Sequence, residues 1–240
     1  MFGTDAEIFS GLEEAEPGPS DCLLEIIGTP DDVGSLVEPL AVGHHAVQRA
    51  ELTGDDTVLV VAGGPIGQAV ALAARRLGVA TVVVAELDAV RRDLVTRLGF
   101  DAVDPATQST HDITAVLGGR ATVVVDAVGT SRTLQTALDT STLGARIVLV
   151  GMGAPRVEIS AYAVSTEERT ILGSFSYDEA GFRETAEWSS AHAAELAPLI
   201  DARVDLADAP ETFRALANGE LRVSKVLVYP SGSPATGADA

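Results

Sequence analysis

The sequence predicts an α/β fold built on a doubly wound parallel sheet. Three observations carry that prediction. Val58 to Ala62, Thr81 to Ala85, Thr122 to Asp126 and Ala145 to Val150 are short apolar runs rich in β-branched residues, the pattern of strands buried on both faces. Segments of helical pattern separate them, at the length that a crossover between parallel neighbours needs. The first run empties into a glycine-rich turn that opens a helix.

Taken in order, the first 33 residues are irregular, because Pro17, Gly18, Pro19, Gly28 and Pro30 break every candidate element except a short strand at Leu23 to Ile27. From Ser35 to about Ala50 the apolar spacing predicts a helix, with Ser35 and Glu38 spaced as a capping box. Thr53-Gly54-Asp55-Asp56 then marks a turn. Helices follow at Pro65 to Leu77, Asp88 to Leu98, Thr110 to Leu117 and Ser131 to Leu138, with a shorter strand at Asp101 to Val103. Right-handed crossovers make this alternation an open, doubly wound sheet. Beyond Gly153 the pattern gives a strand at Thr170 to Phe175, helices around Glu179 to His192 and Ala209 to Asn218, and a last strand at Ser224 to Tyr229. The tail from Ser231 is Ser, Gly, Pro and Ala, a composition expected to stay disordered.

A chain of 240 residues has room for one full core and a modest second one. Sixteen basic against thirty-five acidic residues leave a net charge of −19, which repels nucleic-acid backbones and anionic membranes. Neither is an expected partner. Cys22 is the single cysteine, and with four histidines and no Cys-x-x-Cys pair a structural zinc site cannot be assembled. Cys22 has no basic neighbour and reads as inert. No apolar run approaches a membrane span, and Asp5 and Glu7 stand where a basic-then-apolar leader would lie, so the expected location is the cytoplasm.

The chemistry sits at Val58-Leu-Val-Val-Ala62-Gly63-Gly64-Pro65-Ile66-Gly67. This is the dinucleotide-binding Rossmann fingerprint G-x-G-x-x-G, with Ala62 in its first position. Gly64 lets the backbone approach a pyrophosphate, and Gly67 lets the helix sit close to the strand. The helix N-terminus supplies free N–H donors and a positive dipole. Glu86 ends the next strand, nineteen positions after Gly67, where a carboxylate accepts both ribose hydroxyls of the adenosine and repels a 2′-phosphate. NAD is therefore the expected cofactor. Arg91 and Arg92 follow closely and are placed to meet a 2′-phosphate, which keeps NADP open.

These residues resemble the medium-chain dehydrogenase/reductases, in particular the zinc-dependent alcohol and polyol dehydrogenases of the sorbitol dehydrogenase type. The resemblance runs through Leu36 to Val47 (LVEPLAVGHHAV), Val58 to Gly67, Ala121 to Gly129 (ATVVVDAVG), Thr133 to Gly153, Ile171 to Phe175 (ILGSF) and Lys225 to Pro230 (KVLVYP). It implies NAD contacts at Gly63, Gly64, Pro65, Ile66, Gly67, Glu86, Leu87, Arg91, Ala127, Val128, Gly129, Gly151 and Met152. It also implies a homodimer paired through the strand around Ile171 to Phe175. The family's N-terminal catalytic domain carries Cys-Gly-Thr/Ser-Asp and Gly-His-Glu zinc motifs. Here Phe2-Gly3-Thr4-Asp5 has Phe2 at the cysteine position, and Gly-His-Glu does not occur. The implied organisation is a remnant of that domain over 1–34, a nucleotide-binding domain over 35–175, a C-terminal extension over 176–230 and a tail over 231–240.

No metal is expected, because an open catalytic zinc site needs about three converging protein ligands and Glu38, His44 and His45 are the only cluster on offer. Glu38 matches a position near the family's zinc, and its other reading is the capping partner of Ser35. His44 and His45 lie on the helix that the family runs beside the nicotinamide, where a neutral imidazole can polarise a carbonyl or shuttle a proton. Their other reading is a surface or packed histidine. His111 and His192 read as solvated, Tyr162 and Tyr177 as structural. The leading functional expectation is NAD-dependent hydride transfer to or from a small alcohol or ketone without catalytic zinc. The alternatives are a non-redox enzyme, such as an isomerase, cyclase or lyase, and a non-catalytic NAD-binding protein.

Overall fold

The computed structural model describes residues 31–230. The expectations for Phe2 to Asp5, for Cys22, for a strand at Leu23 to Ile27 and for the tail from Ser231 lie outside them.

Six strands, β1 (Thr57–Val61), β2 (Thr81–Ala85), β3 (Asp101–Val103), β4 (Ala121–Asp126), β5 (Ser141–Leu149) and β6 (Thr170–Gly173), form one parallel sheet in the order β3-β2-β1-β4-β5-β6. The helices are α1 (Asp31–Gly34), α2 (Val37–Arg49), α3 (Pro65–Arg76), α4 (Ala89–Arg97), α5 (Thr110–Val116), α6 (Ser131–Thr140), α7 (Ala161–Ser165), α8 (Glu179–Ala191), α9 (Ala193–Leu196) and α10 (Ala209–Ala217). Strand alternation sorts the core into two layers. Val58 and Val60 point to the face covered by α2, α3 and α4, whereas Leu59 and Val61 point to the face covered by α5 and α6. β1 and β4 pair directly although β2 and β3 intervene in sequence. The crossovers to either side of this seam therefore leave in opposite directions, and open α/β sheets bind ligands at such a switch point.

Local chemistry starts and stops these elements. The Asp88 carboxylate accepts the N–H groups of Val90 and Arg91 at the head of α4, while Ser109–Asp112 and Thr130–Thr133 form capping boxes on α5 and α6. At the opposite end of the sheet Asp56 accepts the Thr122 hydroxyl at 2.7 Å and the Thr53 N–H at 2.8 Å, and pairs with Arg146. Arg146 also donates to the carbonyls of Ala50 and Glu51 beyond α2. Burial pushes the Asp56 carboxyl up, but the hydrogen bonds from Thr122, Thr53 and Arg146 outweigh it and hold the group below its ordinary value.

Three expectations are corrected. The Ser35–Glu38 capping box does not form, since the Ser35 hydroxyl turns back to the Asp32 carbonyl at 2.6 Å and α2 begins at Val37 with no side-chain cap. The physical reason is that the helical turn α1 runs almost directly into α2, so Ser35 lies in a tight junction where Leu36 N–H already donates to the Val33 carbonyl. Second, β5 begins at Ser141 rather than Ala145, its polar and glycine-bearing first turn masking the strand pattern. Third, the segment after β6 holds a parallel pair, β7 (Ala202–Asp205) with β8 (Val226–Tyr229), of which only β8 was legible. Leu196, Leu199 and Ile200 from this segment share one core with Val58, Val60 and α3, so it is fused to the large sheet. No helix among the described residues is long and apolar enough to cross a membrane.

Candidate dinucleotide site

The site begins where β1 ends. Ala62 takes a left-handed φ of 85°, a conformation that costs a residue with a β-carbon about 1–3 kcal/mol unless its surroundings hold it. Those surroundings are explicit. Ala62 N–H donates to the Ala85 carbonyl at 2.8 Å, Gly63 N–H donates to Glu86 Oε2 at 2.6 Å, and the Gly63 carbonyl accepts from Gln68 Nε2 at 2.7 Å. Gly64 then leads in extended conformation into α3, whose first residue is Pro65 and whose N-terminus has no side-chain cap. The dipole and N–H groups at this end stay available to an anion. A β-carbon on Gly67 would collide with the Ala62 carbonyl oxygen, which explains the third glycine of the fingerprint. A β-carbon on Gly64 would meet only Arg91 Nη1, at 3.8 Å, so the turn is open on that side.

The other wall is built by the loops after β4 and β5. Asp126, fully buried at the end of β4, accepts Val128 N–H at 2.9 Å, Gly129 N–H at 3.0 Å and the Thr133 hydroxyl at 2.8 Å. Gly151 packs against the Ala127–Val128 backbone so closely that a β-carbon would collide there. Between the walls lies a cleft of about 310 Å³. It is lined on one side by Ala62, Glu86, Leu87 and Arg91, and on the other by Val128, Arg132 and Thr133.

Of the residues expected to hold the cofactor, Glu86, Leu87, Arg91 and Val128 line the cleft, and Gly63, Gly64, Pro65, Ile66 and Gly67 make the turn at its end. Ala127 and Gly151 support Val128, and Met152 is exposed. Glu86 is only 6% exposed, and its second oxygen accepts Asp88 N–H at 2.8 Å. A carboxylate accepts about four hydrogen bonds, so capacity for a ribose hydroxyl remains. Arg92 is committed elsewhere, donating to the carbonyls of Glu86 and Leu87 and pairing with Asp104. Sequence reasoning missed Asp126, Arg132 and Gln68. An acidic residue closing an otherwise apolar strand was a usable signal for Asp126; Arg132 and Gln68 carried none.

The three residues expected to be catalytic share α2, but none lines the cleft. Glu38 is exposed on the first turn. His44 lines a separate small cavity between α2, α3 and α8, alongside Arg76, Thr185 and Trp188. Both its ring nitrogens are buried without a hydrogen-bond partner, Nε2 standing 3.4 Å from Glu184. Burial lowers the His44 pKa, Glu184 opposes that shift and Arg76 adds to it. His45 is half-buried on the neighbouring face. Among the described residues no three His, Cys, Asp or Glu side chains are grouped so that they could hold a metal ion.

Residues 65–191 match the family model for zinc-binding dehydrogenases. Sorbitol dehydrogenase of sheep, Ovis aries, is 31% identical over 199 residues, which is 79% of this chain and 56% of that protein. The Arabidopsis thaliana sorbitol dehydrogenase is 32% identical over 60% of this chain and 42% of its own length. Among solved structures, 2R,3R-butanediol dehydrogenase of Bacillus subtilis superposes with a TM-score of 0.75 at 28% identity, over 84% of this chain and 60% of that one. A zinc-binding dehydrogenase homologue from Sinorhizobium meliloti bound to NADP gives 0.74 at 27%, over 84% and 61%. The chain thus spans little more than half the length of the sheep enzyme, and the family-model match takes in β2 to β6. It belongs to the zinc-binding dehydrogenase family of medium-chain dehydrogenases, the family of the sorbitol dehydrogenases.

Proposed function

We propose that this chain binds a nicotinamide dinucleotide, NAD in preference to NADP, and serves hydride transfer to or from a small alcohol or ketone of the polyol type. The observation that carries the reading is the uncapped N-terminus of α3 behind a turn whose Gly67 permits no β-carbon, with Glu86 on the rim. The N–H groups of that helix end would hold the pyrophosphate, Arg91 would add positive charge over the turn, and Glu86 would accept a ribose hydroxyl. When bound, the nicotinamide supplies or accepts the hydride. Val128 and the glycine-packed loops beside it form one wall of the cleft. The NADP-bound relative is the counterweight to the NAD preference, which rests on the Glu86 charge.

The described residues do not fit a catalytic zinc, because Glu38, His44 and His45 diverge from one another and from the cleft. We therefore read the proposed chemistry as independent of zinc and derive no step through a metal. The same divergence favours a second reading, in which the chain holds NAD without turning a substrate over. Calorimetry with NADH and NADPH tests binding, and absorbance of the reduced nicotinamide with a panel of polyols and ketones, with and without chelator, separates the two readings. Absence of binding by either dinucleotide would overturn both. The exposed edge strand β6 further supports a homodimer in which two sheets join edge to edge.

A further inference from the structure

Gln68 is a buried polar residue on a helix face that is otherwise Ala, Val and Leu. It is 2% exposed, and its amide bridges two distant parts of the chain. Nε2 donates to the Gly63 carbonyl at 2.7 Å and to the Ser224 hydroxyl at 2.9 Å, while Oε1 is 3.2 Å from the same hydroxyl. Ser224 is itself anchored, since the Asp201 carboxylate accepts the N–H groups of both Ser224 and Lys225 at the start of the β7–β8 pair. On its other side the Gly63 peptide is held through its N–H by Glu86. Gly63, beside the strained Ala62, is thus held at both of its backbone groups, its N–H by Glu86 just beyond β2 and its carbonyl by Gln68, which reaches the start of the β7–β8 pair through Ser224.

We propose that Gln68 is a positioning residue that couples the dinucleotide turn to the seating of the β7–β8 pair, so that binding at the turn and order in the C-terminal segment rise and fall together. The proposal rests on the dinucleotide reading of the cleft. Its physical basis is that the two peptide groups flanking the Gly63 Cα are each oriented by one side chain, and loss of either side chain leaves a buried backbone group unpaired and its peptide free to turn. Tight binding needs the free N–H groups of α3 aimed at the phosphates, and their aim follows from the Ala62–Gly63 conformation. Ser224 does not line the cleft, and its side-chain link to the turn runs through Gln68.

The test uses the full chain with three substitutions. Gln68→Leu is expected to weaken NAD binding about tenfold by loss of its hydrogen bonds to both the Gly63 carbonyl and the Ser224 hydroxyl, and Ser224→Ala about threefold by loss of the second link alone. Gln68→Glu should bind weakly at pH 8, where an ionised carboxylate faces the Gly63 carbonyl, and recover toward the unaltered protein at pH 5.5 as the buried acid protonates and donates again. Hydrogen exchange without any dinucleotide gives an independent readout. Ser224→Ala should speed exchange at residues 63–67, and NAD added to the unaltered protein should slow it at residues 224–229. If the unaltered protein binds no dinucleotide but Ser224→Ala loosens residues 63–67, the mechanical link stands and the cofactor reading falls. If Ser224→Ala changes neither NAD affinity nor exchange at residues 63–67, the coupling is overturned whatever the cofactor.

Discussion

Glu86 holds Gly63: the carboxylate at the end of β2 accepts the amide of the turn after β1 at 2.6 Å, across two adjacent strands. One side chain therefore shapes the glycine-rich turn and presents negative charge on the wall of the cleft. Glu86→Gln keeps the length and an acceptor oxygen but removes the charge. It is expected to narrow the preference for NADH over NADPH several-fold, checked by calorimetry with both. It should also cost about 1–2 kcal/mol of stability, since the carboxylate accepts the N–H groups of both Gly63 and Asp88 and the amide has one oxygen and no charge to offer them.

Arg91 and Arg132 reach one cleft from opposite faces of the sheet, from α4 and α6. In a chain of net charge −19 they are the arginines placed beside the turn, and the Arg132 guanidinium makes no hydrogen bond or ion pair among the described residues. Arg132→Ala is expected to weaken dinucleotide binding about three- to tenfold, and more steeply for NADPH, while leaving thermal stability within about 0.5 kcal/mol. Equal affinities for the unaltered and Arg132→Ala proteins would remove Arg132 from the site.

His44 sets a pH dependence with a definite sign. Its folded pKa lies below the ordinary 6.5, chiefly because burial disfavours the imidazolium, with Arg76 adding to the shift and Glu184 and Asp178 opposing it. The unfolded chain then binds more protons between the lowered value and 6.5. Stability from this group is complete above pH 6.5 and is lost as pH falls through that window. Urea unfolding at pH 7.5 and 5.5 should show a drop for the unaltered protein and a smaller drop for His44→Leu. The aspartates with lowered pKa, Asp56, Asp88 and Asp112, act below their ordinary 3.8 and do not confuse the comparison.

β6 pairs with β5 on one side and has no strand on the other among the described residues, and Phe175 just beyond it is 76% exposed. An apolar edge of this kind is covered in a stable protein. Sedimentation is expected to report a dimer at micromolar concentration. Leu172→Pro, which removes an edge N–H, should shift it to monomer. A monomeric unaltered protein would remove the edge-to-edge assembly.

The alternation of strands and helices from β1 to β5, the glycine-rich turn and the acid at Glu86 were legible in the sequence, whereas α7 and β7 were not, because the legible features rest on short-range physics. Period-two burial marks the strands, and a β-carbon clash at Gly67 or a free helix end at Pro65 is decided within a few residues. Ser35 shows where even local reading fails, since a capping box depends on whether the preceding turn leaves the serine at the helix boundary. Only the tertiary structure decided that His44 faces Glu184 and α8 instead of the cleft, because the spacing on α2 says which residues share a face and nothing about which partner that face meets. It likewise set Arg91 and Arg132 on opposite walls of one cleft and placed Ser224 on Gln68, 156 residues away in the chain. The sequence by itself determined a glycine-rich turn at the free N-terminus of α3. Which side chains grip that turn was settled by the packing of distant segments, whose pairings no local pattern encodes.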